Sequence, residues 1–173
     1  GFPMAGKPVE AALESGEAIT LNDQALDRDQ FVYLGTTDSS GQVTAVLTAT
    51  ASGERLIKAR SEQVQIQEQG VVEFVAGPVD AASSRLESEP DQVLADGEEV
   101  IAVTVTARDV YQNPVPGVSV TFSATGDAVV NQPSDPTDQN GQATGFVSDA
   151  TIETVTVTAT VDGVTLEDTL NLS

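Results

Sequence analysis

The sequence predicts an all-β chain built as two antiparallel β-sandwiches in tandem, the first of them incomplete. Three observations predict it. Apolar and polar residues alternate, as where Ile101, Val103, Val105 and Ala107 share one parity and Thr104, Thr106 and Arg108 the other; period two marks a half-buried strand. The chain also repeats itself: Thr37-Asp38-Ser39-Ser40-Gly41-Gln42-Val43-Thr44 matches Thr137-Asp138-Gln139-Asn140-Gly141-Gln142-Ala143-Thr144 a hundred positions later. A repeat of that length suits one sandwich per copy, not a short solenoid unit. Finally, 39% of the 173 residues are hydrophobic but only 4% aromatic. Val, Thr and Ala carry the apolar load, which fits many thin strands and no long amphipathic helix.

In the first copy, Val9, Ala11 and Leu13 form the inward face of a strand. A short apolar stretch, 18–21, leads into the polar run Asn22 to Gln30 and then Phe31-Val32-Tyr33-Leu34. The second copy spans Gly126 to Thr137 where the first spans Gly16 to Thr37, so the first carries an insertion here. Loops tolerate insertions and often carry function. The 22–30 stretch is accordingly expected on the surface with no partner in the core, and is the one candidate binding loop. Strands are expected at Val43 to Leu47, Leu56 to Arg60 and Val71 to Val75. Pro3-Met4-Ala5-Gly6 matches Pro114-Val115-Pro116-Gly117, so the first copy is expected to lack the two strands before that turn. Val9, Leu13 and Leu47 would then be poorly covered, beside an open sheet edge. Because the chain begins with Gly, it is read as a fragment of a longer one.

Ala76-Gly77-Pro78 is the boundary, giving domains 1–77 and 78–173. In the second copy, strands are expected at 84–88, 100–109, 118–125, 128–130, 143–148 and 155–161, with Leu166, Leu170 and Leu172 on a last one. Asn140-Gly141 and Asp162-Gly163 are preferred pairs for tight primed turns. Val103, Val105, Val120, Phe122, Val147, Val155, Val157 and Ala159 should be buried in one shared core. Between the second and third strands stands Asp109-Val110-Tyr111-Gln112-Asn113-Pro114-Val115-Pro116-Gly117. Its two prolines fix φ and remove backbone donors, so no ladder crosses the turn. The pattern D-x-x-x-N-P-V-P-G-V-x-V-x-F resembles the corner between the second and third strands of bacterial Ig-like group 1 domains, the repeats of invasin- and intimin-type surface adhesins. The resemblance covers nearly all of 78–173 and the later two-thirds of a first copy.

Composition removes most chemistry. With no His and no Cys, there are no parts for a zinc site or a Ser-His or Cys-His nucleophile. No phosphate-binding loop or dinucleotide fingerprint is present. No catalytic or cofactor-binding residue is therefore assigned. A net charge of −20 disfavours nucleic acid, which needs clustered Lys and Arg, and anionic membrane surfaces likewise. The acidic excess is greatest in 78–173, with 16 acidic residues against 2 basic. Asp127, Asp135 and Asp138 are Ca²⁺ ligand candidates, as are Asp80, Glu87 and Glu89; neither set has EF-hand spacing. The plainer reading of both is a solvated acidic surface.

The resemblance implies a stalk segment of an extracellular bacterial adhesin. Its partners would be neighbouring repeats of the same chain, with a host-cell or glycan receptor engaged by other domains and an outer-membrane anchor in the full-length protein. The alternatives are an accessory module of a secreted polysaccharide-degrading enzyme, or a glycan- or host-protein-binding module using Phe31, Tyr33 or Tyr111.

Overall fold

The computed structural model describes residues 3–90 and 92–172, and every regular element among them is a strand. The chain divides into two compact units, one ending at Val75 and the other beginning at Ala76. Gly1 and Phe2, which the sequence assigns to the opening turn, lie outside the described residues.

In the first unit, β1 (Pro8–Ser15) is the centre of one antiparallel sheet. It pairs with β4 (Val32–Thr36) on one side and β6 (Gly53–Ser61) on the other. β7 (Val64–Gln65) and β8 (Gly70–Phe74) both pair with β6. The facing sheet has the order β3 (Gln24–Leu26), β2 (Ile19–Leu21), β5 (Leu47–Thr48).

Two expectations for this unit are corrected. The 22–30 insertion is not a surface loop. Asn22 and Asp23 both take positive φ, closing a tight hairpin between β2 and β3 that sets Leu26 opposite Ile19. Leu26 is 0% exposed and packs with Ala11, Leu13, Ile19 and Leu21. Period-two spacing on both sides of a primed turn brings these apolar residues to one face. Leu13 is buried for the same reason, and Val9 is buried too, so neither is poorly covered. Leu47 is half-buried.

The second unit is a four-on-four sandwich. One sheet has the order β12 (Val129–Asn131), β13 (Gln142–Ser148), β10 (Ile101–Thr106), β9 (Arg85–Glu89). The other holds β11 (Val120–Ala124), β14 (Val155–Val161), β15 (Val164–Thr165) and β16 (Leu170–Leu172), with β14 paired to all three. β10 pairs with β13 in unbroken register from Ile101↔Val147 to Thr106↔Gln142. Of the eight expected core residues seven are buried; Val120 is half-buried and packs against the same core. Asp162 and Gly163 form a primed turn, both at positive φ. Asn140-Gly141 does not, since only Gly141 has positive φ. Asp138 closes that loop instead, its Oδ1 accepting the Asn140 and Gln142 N–H groups.

The repeat extends to packing. Against Phe122 the second unit sets Gly145, where a Cβ would stand 2.8 Å from the ring. The matching positions in the first unit are Ala11 and Ala45, which the pairings of Phe122 with Ala159 and of Ala11 with Ala59 identify. One large and one absent side chain are replaced by two small ones, so the layer of the first unit holds less side-chain volume at this point.

Candidate functional site: the corner after β10

The densest polar arrangement among the described residues is the corner at Asp109. Its carboxylate is 1% exposed yet fully engaged. Oδ1 accepts the N–H groups of Tyr111 at 2.8 Å and Asn113 at 2.9 Å. Oδ2 accepts Asn113 Nδ2 and the Gly77 N–H, each at 2.8 Å. Burial alone would raise its pKa, but the Asn113 side chain and the N–H groups of Gly77, Asn113 and Tyr111 outweigh that and hold it below the ordinary carboxylate range. Asn113 is held extended by the proline after it, which turns its amide back towards Asp109.

Asp109 thereby ties the residues that lead into the second unit to the corner. Ala76 packs on the apolar core. Asp80 N–H donates to the Arg108 carbonyl at 2.8 Å, and Arg108 N–H to Ser84 Oγ at 3.0 Å. Ser84 Oγ in turn donates to the Asp80 carbonyl at 2.8 Å. The segment 76–84 is therefore pinned at its start, middle and end. The sequence pattern singles out Asp109 and Asn113, but their partner Gly77 is thirty-two positions away and carries no side-chain signal.

The first unit builds the later part of this corner contact for contact. Gly6 N–H donates to the Thr37 carbonyl at 2.8 Å, as Gly117 N–H does to Thr137. Lys7 N–H meets Thr37 Oγ1 at 3.0 Å, as Val118 N–H meets Thr137 Oγ1 at 3.1 Å. Thr37 Oγ1 donates to the Met4 carbonyl at 2.6 Å, as Thr137 Oγ1 does to Val115 at 2.8 Å.

The Ca²⁺ candidates are scattered. Asp127 N–H donates to Glu153 Oε1, which places Asp127 at the end of the sandwich where β13 finishes; Asp138 sits where β13 begins. Asp135 accepts from Ser134 Oγ, and Asp80 Oδ2 from Ser83 N–H. Glu87 and Glu89 lie on the outer face of β9. Among the described residues no three acidic groups stand close enough to share a metal ion. Of the aromatics, Tyr33 and Tyr111 are exposed, while Phe31 is half-buried under the Arg60 guanidinium, 3.9 Å from the ring centre.

The two units close their far ends differently. In the second, Val155, Leu172 and Ile101 line an apolar cavity of about 350 Å³. In the first, the residue matching Val155 is Arg55, which is 1% exposed. Its Nη2 donates to the Ala51 carbonyl at 2.8 Å, and the guanidinium lies 5.7 Å from the Phe74 ring centre.

Comparison with known proteins places this architecture. The chain is 30% identical over 132 residues to the inverse autotransporter adhesin YeeJ of Escherichia coli (strain K12), a match covering 73% of this chain and only 6% of that relative. Among solved structures, FdeC, an Escherichia coli adhesin, is similar at a TM-score of 0.75 and 22% identity over 98% of this chain and 54% of its own. Yersinia pseudotuberculosis InvD gives 0.69 and 20% over 99% and 48%. Invasin, a bacterial integrin-binding protein, gives 0.53 and 24% over 100% and 33%. At such identities these structures establish the fold. The profile of the bacterial Ig-like domain (group 1) matches residues 83–173, more than half of the chain, and the chain therefore belongs to the bacterial Ig-like domain (group 1) family.

Proposed function

We propose that this chain is a structural, non-catalytic stalk segment of a bacterial surface adhesin, whose modules set the distance between the cell and a distal adhesive domain. The observation that carries the reading is the pinning of 76–84 to the second unit through Asp109, Arg108 and Ser84. A spacer gains reach from modules only if the chain between them is kept short and constrained, since a flexible linker collapses its own end-to-end distance. Kinship with an adhesin supports the setting. The acidic surface also fits an exported spacer, because like charge on every copy opposes self-association. The neighbouring repeats of the parent chain are its partners in this reading, and receptor contact belongs to other domains.

The test is a distance measurement between spin labels placed on the two units, at Ser39 and Thr158. A narrow distribution that broadens in Asp109→Ala is the expected result. A distribution already broad in the unaltered chain rules out the spacer mechanism.

A further inference from the structure

β11 is an edge strand: it pairs with β14 on one side, and among the described residues no strand pairs with it on the other. Side chains close that outer edge instead. The Phe122 N–H donates to Gln132 Oε1, and Gln132 Nε2 donates to the Phe122 carbonyl, each at 2.8 Å. One amide thus makes the two bonds that a neighbouring strand would make at this residue. At Val118, four residues earlier, Thr137 does the same. The Val118 N–H meets Thr137 Oγ1 at 3.1 Å, and the Thr137 N–H donates to the Val118 carbonyl at 3.0 Å. The segment between Gln132 and Thr137 is a poor strand itself, because Pro133 and Pro136 have no N–H to give a ladder.

The first unit shows that this edge takes a strand. There β1 is the counterpart of β11, with Ala11 in the place of Phe122. Its outer edge carries β4, paired from Pro8↔Thr36 to Ala11↔Val32. Further on, the Leu13 N–H donates to the Asp27 carbonyl and the Asp29 N–H to the Leu13 carbonyl. Thr37 stands at Lys7 as Thr137 stands at Val118. From that threonine onward, main chain fills the lane in the first unit, and the Gln132 amide holds it in the second.

The two edges also differ in charge. The covered one carries Lys7, Glu10 and Glu14. The other, 118–125, has no charged residue, no Pro and no Gly, and half of it is Val or Thr. An uncharged, β-prone edge is a template for another chain. The net charge of −20 opposes encounter at a distance, but salt screens such repulsion beyond about 8 Å at physiological ionic strength. The edge therefore needs a guard of its own. It is also self-complementary. Because the Phe122 N–H and carbonyl face outwards, those of Val120 and Ala124 do so too. Two copies of β11 set antiparallel about Phe122 would exchange bonds at all three residues.

We propose that Gln132 guards a strand-acceptor edge on the second unit, and that the partner it keeps out is β11 of a second copy of this chain. The pairing it blocks is antiparallel, with Phe122 opposite Phe122.

The test compares three versions of the full chain at high salt: unaltered, Gln132→Ala, and Gln132→Ala with Thr121→Lys and Ser123→Lys. Gln132 is an exposed residue, so its truncation removes no core packing. Sedimentation equilibrium should find the unaltered chain monomeric and Gln132→Ala dimerising about tenfold or more tightly. Hydrogen exchange should show the Val120 and Ala124 amides protected in that dimer. The lysine version should return to monomer, since pairing about Phe122 sets each lysine opposite one from the other copy. A Gln132→Ala chain that stays monomeric overturns the proposal. So does a dimer that the lysines leave intact, or one that leaves Val120 and Ala124 unprotected. An unaltered chain that already pairs through β11 overturns the guarding role. Faster exchange throughout β14 in Gln132→Ala also overturns it, because the amide would then hold the fold and not the edge.

Discussion

Asp109 shows how a single carboxylate sets both the shape of a corner and a pH dependence. A buried charge is costly unless it is paired or fully hydrogen-bonded, and here four donors with no counter-ion meet that need. Asp109→Asn would turn an amide N–H towards one of those donors, at a cost of about 2 kcal/mol, the scale of a lost hydrogen bond to a charged group. The sign with pH follows from its lowered pKa. The unfolded chain protonates this group near 3.9, before the folded state does. Its contribution is complete above that value and is lost as pH falls through the lower folded pKa. Melting of the second unit should be nearly flat from about pH 7 to about pH 5 and drop below about pH 4, with a shallower acid limb in Asp109→Asn. The remaining slope belongs to Asp138, held low by the Gln142 and Asn140 N–H groups, and Asp96, held low by Glu99 and Glu98 N–H. Thermal melts at a series of pH values check this, and an unchanged acid limb in the variant would contradict the role given to Asp109.

At the scale of elements, the strands of the second unit were legible because their alternation is unbroken: β14 occupies the residues that period two predicts, Val155–Val161. The β2–β3 hairpin was not, because each arm has only three residues, too few to register as a pattern, and its turn is Asn-Asp instead of the commoner Asn-Gly. Leu26 is the one apolar anchor of the second arm, so Leu26→Ala should cost about 2–5 kcal/mol in the first unit, a large loss for an expected surface loop. Denaturant unfolding of that unit measures it. The Asn140-Gly141 error has a related origin. A dipeptide preference competes with the side chain two positions before, and Asp138 wins by capping two N–H groups at once. Glycine demand likewise depends on what surrounds the turn. A Cβ on Gly141 would stand 2.4 Å from the Ala107 carbonyl, while one on Gly163 meets open space. Both have positive φ, so both Ala variants are strained, but Gly141→Ala should lower the melting temperature several-fold more than Gly163→Ala. Equal shifts would mean that backbone strain alone, not the contact with the Ala107 carbonyl, sets the requirement.

Over the whole molecule, one sandwich plan is realised twice with unequal cores. Among the described residues the second unit buries sixteen apolar residues in one cluster, whereas the first buries five in its cluster and Val9 and Ala12 outside it. The first recovers part of the difference through the insertion, whose Leu26 is buried in its core, and through Val32 and Leu34 of β4, which pack against it. Its outer charges add little, since Lys7–Glu62 and Arg60–Glu10 are solvent-facing pairs. Folding free energy follows apolar area removed from water, so the unit with half-exposed Ile57, Ala59 and Ile66 should melt first. Calorimetry of the full chain should therefore show two transitions. Leu26→Ala should move only the lower one and Asp109→Asn only the upper, because the two sites lie in different cores and share no partner. Raising protein concentration should leave the upper transition unchanged. A lower transition independent of concentration is expected here, since the negative charge opposes edge-to-edge pairing of identical chains. A single transition shifted equally by both substitutions would show instead that the units stand or fall together.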